Sequence, residues 1–94
     1  RPFQYDPEFV ALFPAPNHPS YPAAHSVGTT ATLATMAAFF PSETDDLLNL
    51  ADTVGLSRIW AGIHFRSDIE VGNDMGKAIS DSILEPFADI IADF

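Results

Sequence analysis

The sequence predicts an all-α protein, a helical bundle of about four helices that follows a Pro-rich ordered loop. No stretch sustains the alternation of apolar and polar side chains, with β-branched enrichment, that marks a strand. Six of the eight prolines lie within residues 1–24, which bars a long helix there and leaves later stretches free to form them. Beyond Pro22, small and apolar residues recur at helical spacing, as in Gly28, Ala31, Ala34 and Ala38 or Ile69, Met75, Ile79 and Ile83.

With 94 residues the chain makes one domain at most, either a single domain 1–94 or a fragment of a larger bundle, with loop 1–24 and helices in 25–94. Hydrophobic residues at 47%, including eight Phe, supply a core and exclude disorder. The absence of cysteine excludes disulfides and thiolate metal sites. A net charge of -9 argues against nucleic acid and anionic membrane surfaces as partners, but not against a small anion held by a local arginine cluster. No apolar run reaches the roughly eighteen residues of a membrane span; the longest, 31–41, contains threonine and ends in proline. The reading is a soluble chain. A leader removed upstream would leave this same sequence, so secreted and periplasmic locations stay open.

Within 1–24 one short turn is expected around 6–12, where Pro7 suits a first helical position and Glu8 favours a helix start. Phe3, Tyr5, Phe9, Phe13 and Tyr21 are expected to pack over the helices, and His18 reads as a loop histidine without chemistry. A turn at Pro22-Ala23-Ala24 leads into a helix over 25–40, whose lack of charge implies burial on most sides. Ser42 is the expected N-cap of the next helix, with Glu43, Asp45 and Asp46 at its positive end. Leu47, Leu48, Leu50, Ala51 and Val54 form its apolar face up to Gly55, placed as a stop. A third helix is expected over 56–65 with Ile59, Trp60 and Ile63. Ser67 and Glu70 have capping-box spacing for a fourth, in which Gly72 and Gly76 make a close-packing face. Pro86 ends or kinks it, and 87–94 adds a last turn.

The richest stretch is 57–68, S-R-I-W-A-G-I-H-F-R-S-D. It holds two of the four Lys/Arg residues, one of three histidines, and a carboxylate four positions past that histidine. Arginine presents a planar fork of donors suited to tetrahedral oxyanions, and imidazole serves as nucleophile, metal ligand or proton carrier near neutral pH. Together they suggest an oxyanion site. The plainer alternative is an amphipathic helix with Trp60 buried, Arg58 and Arg66 at the surface and His64 capped. Upstream lies H-P-S-Y-P-A-A-H-S over 18–26, and the chain opens on Arg1-Pro2. The amides of Ala24 and His25, at the start of the helix after Pro22, offer further donors to an anion.

In order, these stretches resemble the signature K-x6-R-P, P-S-G-H and S-R-x5-H-x3-D of the vanadium-dependent haloperoxidases and the type 2 phosphatidic acid phosphatases. The third part matches at Ser57, Arg58, His64 and Asp68. The second matches at Pro22 and His25 but carries Ala23 and Ala24 in place of Ser-Gly. Of the first, Arg1 and Pro2 are present, and its lysine would precede residue 1. The resemblance covers most of residues 1–85 and implies the C-terminal part of a larger helical bundle. It further implies that His64 is the nucleophile toward phosphorus in a phosphatase, or the ligand to vanadium when vanadate is the cofactor. Asp68 then holds the His64 ring, and His25 is the acid-base group. Arg1 and Arg58 clamp the anion oxygens, with Ser57 and the Ala24 amide completing the oxyanion-binding set.

The lead S-Y-P and the continuation I-H-F-R-S-D are similar to bacterial haloperoxidase-type proteins. The favoured expectation is therefore a vanadate- or phosphate-binding protein that oxidises halide with hydrogen peroxide. The alternative is an acid phosphatase that hydrolyses phosphate monoesters through a phosphohistidine on His64 and needs no cofactor. Ala23 cannot donate the hydroxyl the family's serine offers, and loss of one such donor typically costs roughly a hundredfold to a thousandfold in rate. A third reading is thus an inactive phosphate-binding or structural relative. A fourth, an ordinary helical interaction module, is opposed by the joint presence of Arg1, Arg58, His25, His64 and Asp68. Three geometric expectations follow. His64, Arg58 and His25 converge on one pocket; Asp68 reaches a ring nitrogen of His64; and an upstream segment or another chain completes the bundle, leaving apolar surface exposed here.

Overall fold

The computed structural model describes residues 1–93, and among them the only regular secondary structure is helical. Five α-helices occur in chain order: α1 (Pro2–Tyr5), α2 (Ala24–Phe39), α3 (Thr44–Trp60), α4 (Arg66–Leu84) and α5 (Ala88–Ala92). Single 3-10 turns, Pro41–Glu43 and Glu85–Phe87, join α2 to α3 and α4 to α5. The molecule is elongated, 55 × 22 × 17 Å. Its centre is α2, packed against both α3 and α4.

Local chemistry sets the helix bounds. The stretch between Pro22 and Pro41 has no proline, and α2 stops before Phe40, whose position ahead of Pro41 disfavours helical backbone (φ -129, ψ 68). Ser42 lies within the 3-10 turn rather than at an N-cap, and α3 begins at Thr44, whose hydroxyl donates to the Pro41 carbonyl at 2.9 Å. In α4 the first turn is closed by Asp68, which accepts the Phe65 N–H at 2.9 Å, so the helix starts at Arg66 without the Ser67–Glu70 box. Pro86 interrupts the last helical stretch, and α5 adds the expected final turn; residue 94 lies outside the described residues.

One expected boundary is absent. Gly55 does not stop a helix; α3 runs through it to Trp60, merging the second and third expected helices. The reason is packing: a Cβ at Gly55 would sit 2.5 Å from Ile69 Cγ2 and 3.2 Å from Ser26 Oγ, so glycine here lets three helices meet. Gly72 and Gly76 do form the expected close-packing face. A Cβ at Gly72 would lie 2.9 Å from the Ala23 carbonyl, and one at Gly76 would lie 2.7 Å from that of Val27. Helix α4 thus rests on the backbone of α2. Polar side chains bridge the same seam: Thr30 Oγ1 donates to Asn73 Oδ1 at 2.9 Å, and Thr35 Oγ1 and Ser80 Oγ are 2.9 Å apart.

The buried apolar core is small: Ala23, Leu33, Ala37, Ala51, Ala61, Ile63 and Ile69. Ala31 and Ala34 are only half-buried, and Met36, Phe40 and Leu50 are exposed, so α2 is not enclosed on all sides. Trp60 is 71% exposed, against its assignment to the interior in the plainer reading. The loop aromatics depart from expectation as well: Phe3, Tyr5, Phe9, Phe13 and Tyr21 all keep substantial exposure. The expected turn over 6–12 is a hydrogen-bonded bend, in which Asp6 accepts the Glu8 amide through Oδ1 and the Phe9 amide through its carbonyl. The loop is tied to the helices by the Leu12 amide, which donates to the Ala61 carbonyl at 2.9 Å, and by Phe9, which fills the space above Gly62.

Candidate oxyanion site

Between α3 and α4 the chain turns through Ala61, Gly62, Ile63 and His64. Gly62 has φ +80, a left-handed conformation open to glycine and costly for residues with a Cβ. The Arg58 carbonyl accepts the Ile63 amide at 3.2 Å and closes the turn. Ile63 is fully buried, which anchors the turn and brings His64 inward with 3% exposure.

Asp68, also buried, is the hub of the site. Its Oδ2 accepts from Ser20 Oγ at 2.5 Å and the Phe65 amide at 2.9 Å, and lies 3.1 Å from His64 Nδ1. Its backbone carbonyl accepts the Ala23 amide at 3.0 Å, joining the start of α2 to the first turn of α4. Burial alone would raise the Asp68 carboxyl, but hydrogen bonds from Ser20, Phe65 and His64 outweigh it and hold the group below its ordinary value. The carboxylate is therefore ionised near neutral pH.

On the other side of the ring, Arg1 Nη1 lies 2.9 Å from His64 Nε2 and donates to the Ile63 carbonyl at 3.0 Å. Guanidinium has no acceptor, so Nε2 carries the lone pair and Nδ1 carries the hydrogen donated to Asp68. The acidity of the ring agrees. Burial pushes the His64 imidazolium below its ordinary value, and the Arg1 charge adds to this; the Asp68 hydrogen bond opposes both without prevailing. The result is a neutral imidazole in one tautomer, with its basic nitrogen toward a cation.

Arg1 also donates through Nη2 to the His18 carbonyl at 3.1 Å and approaches His18 Nδ1 at 3.3 Å. Its Nε is buried and has no hydrogen-bond partner. A charged donor left so is costly, and an anion beside His64 would satisfy it. Arg1 and Ser20 line a polar cleft of about 350 Å³ with Phe3, Gln4, Ala15 and His18.

The remaining sequence-predicted residues make contacts of their own. The Arg58 guanidinium rests 5.6 Å from the Phe13 ring centroid, and its Nε donates to Ser57 Oγ at 3.1 Å. The Ser57 hydroxyl donates to the Val54 carbonyl at 2.6 Å within α3. Ala24 and His25 open α2, which no side chain caps, and line a separate shallow cleft with Gly28, Thr29 and Thr32. The structure thus joins Arg1, His64 and Asp68, while neither Arg58 nor His25 hydrogen-bonds to any of them. Ser20 is the contact that sequence reasoning missed. It stands in the S-Y-P lead of the second motif, yet its bond to Asp68 spans 48 positions and leaves no local signal.

A buried His–Asp pair thus faces an arginine with an unpartnered donor, set in a helical bundle. The chain belongs to the PAP2 superfamily, whose family model matches residues 1–83. That is a family of phosphatase and haloperoxidase type. No curated protein matches this sequence.

Proposed function

We propose that the chain binds a tetrahedral oxyanion, phosphate or vanadate, at His64 Nε2, and that its activity is of the haloperoxidase type. The observation that carries the reading is the buried Arg1 Nε without an acceptor beside the lone pair of His64 Nε2. One nitrogen ligand and one guanidinium fork form a donor set that fits vanadate as well as phosphate. Arg1 Nη1 occupies the approach to Nε2, so an incoming anion takes its place there and receives the guanidinium on its oxygens. Asp68 and Ser20 keep the ring oriented throughout. Bound vanadate would supply a Lewis-acid centre that activates hydrogen peroxide, so that halide, peroxide and one proton give hypohalous acid and water. Arg58, with Ser57 beside it, and His25, with the amide of Ala24, are assigned to the anion's outer oxygens and to proton transfer by resemblance alone. The S-Y-P and I-H-F-R-S-D stretches favour this branch. In keeping with it, no described helix is long and apolar enough to cross a membrane.

A second reading rests on the neutral ring. An imidazole with its lone pair on Nε2 is in the state a nucleophile toward phosphorus needs, so phosphate-monoester hydrolysis through a phosphohistidine on His64 is the alternative. Paired assays decide between them. The first reading expects bromide oxidation by peroxide that depends on added orthovanadate and disappears in His64→Ala. Hydrolysis of p-nitrophenyl phosphate without halide oxidation would replace it with the second. Phosphate binding without either activity would leave the weakened, binding-only relative that Ala23 suggests, and no binding of phosphate or vanadate would end all three.

A further inference from the structure

Two apolar surfaces lie uncovered at opposite ends of α4. One is a cleft of about 580 Å³ lined by Phe3 and residues 9–15, held to the turn before α4 by the Leu12 amide on the Ala61 carbonyl and by Phe9 above Gly62. The other is the arm beyond α4. None of residues 85–92 is buried, and Phe87 is 50% and Ile90 64% exposed. Helix α5 packs chiefly on the Glu85–Phe87 turn, and that turn on the end of α4, so the arm stands off the body of the bundle. Neither surface can cover the other within one molecule, because the 19 residues of α4, at 1.5 Å each, set its ends about 28 Å apart.

Charge divides along the same line. Three of the four Lys/Arg residues gather at the cleft end: Arg1 shares Phe3 with the cleft, the Phe13 ring carries the Arg58 guanidinium, and Arg66 opens α4. The arm carries Glu85, Asp89 and Asp93 and no basic residue. Asp6 and Glu8, the carboxylates nearest the cleft in sequence, lie in the bend before it, where Asp6 Oδ1 accepts the Glu8 amide. Among the described residues the one ion-pair contact is that of His64 with Asp68, so neither these arginines nor the arm carboxylates meet an opposite charge in their own chain.

We propose that the arm of a second copy of this chain covers the cleft, with Phe87 and Ile90 entering beside Phe9 and Phe13 and the arm carboxylates facing the arginines. Two copies laid antiparallel satisfy both contacts at once, since the span from cleft to arm is the same in each, and the pairing closes as a two-fold dimer. Both apolar surfaces then leave water, and the aromatic walls suit the Phe87 ring. The net charge of -9 on each copy opposes general association, so pairing depends on this local match of charge. The inference is independent of the oxyanion reading.

Sedimentation of the full chain over a dilution series tests it. Two double variants are compared with wild type, Phe87→Gln/Ile90→Gln in the arm and Val10→Gln/Leu12→Gln in the cleft, all at exposed positions and each checked for wild-type helicity by circular dichroism. Wild type is expected to dimerise, and each variant to raise the dissociation constant roughly tenfold or more. An equimolar mixture of the two variants should pair more tightly than either alone, because one intact arm then meets one intact cleft. A wild-type chain that stays monomeric throughout the series overturns the proposal. A dimer that survives either variant also overturns it, because contact between two arms, or between two clefts, would be lost in one variant only. Loss in both variants without recovery in the mixture overturns it as well.

Discussion

Replacing Asp68 with alanine separates a helix cap from a catalytic support. One oxygen, Oδ2, serves three donors: Ser20 Oγ at 2.5 Å, the Phe65 amide at 2.9 Å and His64 Nδ1 at 3.1 Å. Ser20 is half-buried and Phe65 exposed, so water can reach both after the substitution, but His64 is 3% exposed and its N–H would keep only the longer contact with Ser20 Oγ at 3.3 Å. A buried donor left unpaired costs about 1–3 kcal/mol, and loss of a cap typically adds about 1 kcal/mol. Asp68→Ala should therefore lose about 2–4 kcal/mol, read as a lower midpoint in urea unfolding with unchanged slope. Freed of its partner, the His64 ring can also turn out of register, and losing such a carboxylate typically costs about 10–100-fold in affinity or activity at a histidine ligand. Phosphate affinity at pH 7 should fall by that factor at temperatures where the variant remains folded. A loss below 1 kcal/mol together with unaltered phosphate affinity would refute the reasoning and reduce Asp68 to an ordinary first-turn acid.

Acid sensitivity follows from the two perturbed groups. His64 has a folded value below its ordinary 6.5, so its contribution is complete above that pH and is lost as pH falls through the window beneath it. Asp68, held below its ordinary 3.8, adds a second loss at lower pH, and urea midpoints measured from pH 7 to pH 3 should fall in both windows. A flat profile between pH 7 and pH 5 in wild type would contradict a buried neutral His64. Gly76→Ala puts a Cβ 2.7 Å from the Val27 carbonyl, a clash of about 1–3 kcal/mol that should outweigh the roughly 1 kcal/mol of helix propensity gained. Gly28→Ala meets nothing within 4 Å and should stabilise by about 0.5–1 kcal/mol in the same unfolding assay. Gly62→Ala combines a left-handed backbone with a clash against the Phe9 ring, and should cost about 1–2 kcal/mol or more while loosening the loop around Phe9, seen as faster amide exchange at Leu12.

The helical class and the ends of α2 were legible because proline acts locally, through a missing donor and its effect on the preceding residue. The contact between His64 and Asp68 was expected through the family resemblance, and it is local too, since two residues four apart can meet around one turn. What escaped was long-range. Gly55 looks like a helix stop by composition, but its role is set by Ile69 and Ser26, which come close to it only after three helices have packed. Exposure of the loop aromatics depends on how far residues 1–23 lie from the helices, and nothing in the local sequence reports that distance. Ser20 reaches Asp68 across 48 positions and belongs to the tertiary fold alone, whereas the meeting of Arg1 and His64 across 63 positions was expected only through the family resemblance.

Packing and chemistry meet in the seam between α2 and α4. The Ala23 amide bonds to the Asp68 carbonyl, and the atoms nearest a Cβ at Gly72 would be those of Ser26 and Ala23. A longer side chain at position 72 would thus press on the residues that hold Asp68 at its backbone. The strain would pass to His64 through the Oδ2 contact, although Gly72 touches neither the ring nor Arg1. Helix α4 lies this close to α2 only because glycine occupies its facing positions, and that closeness fixes the carboxylate that fixes the ring. Ala23 also has a packing reason to stay small: it is fully buried in the same seam. A serine there would add a hydroxyl in need of an acceptor, so alanine relieves a packing constraint where the resembling signature has serine.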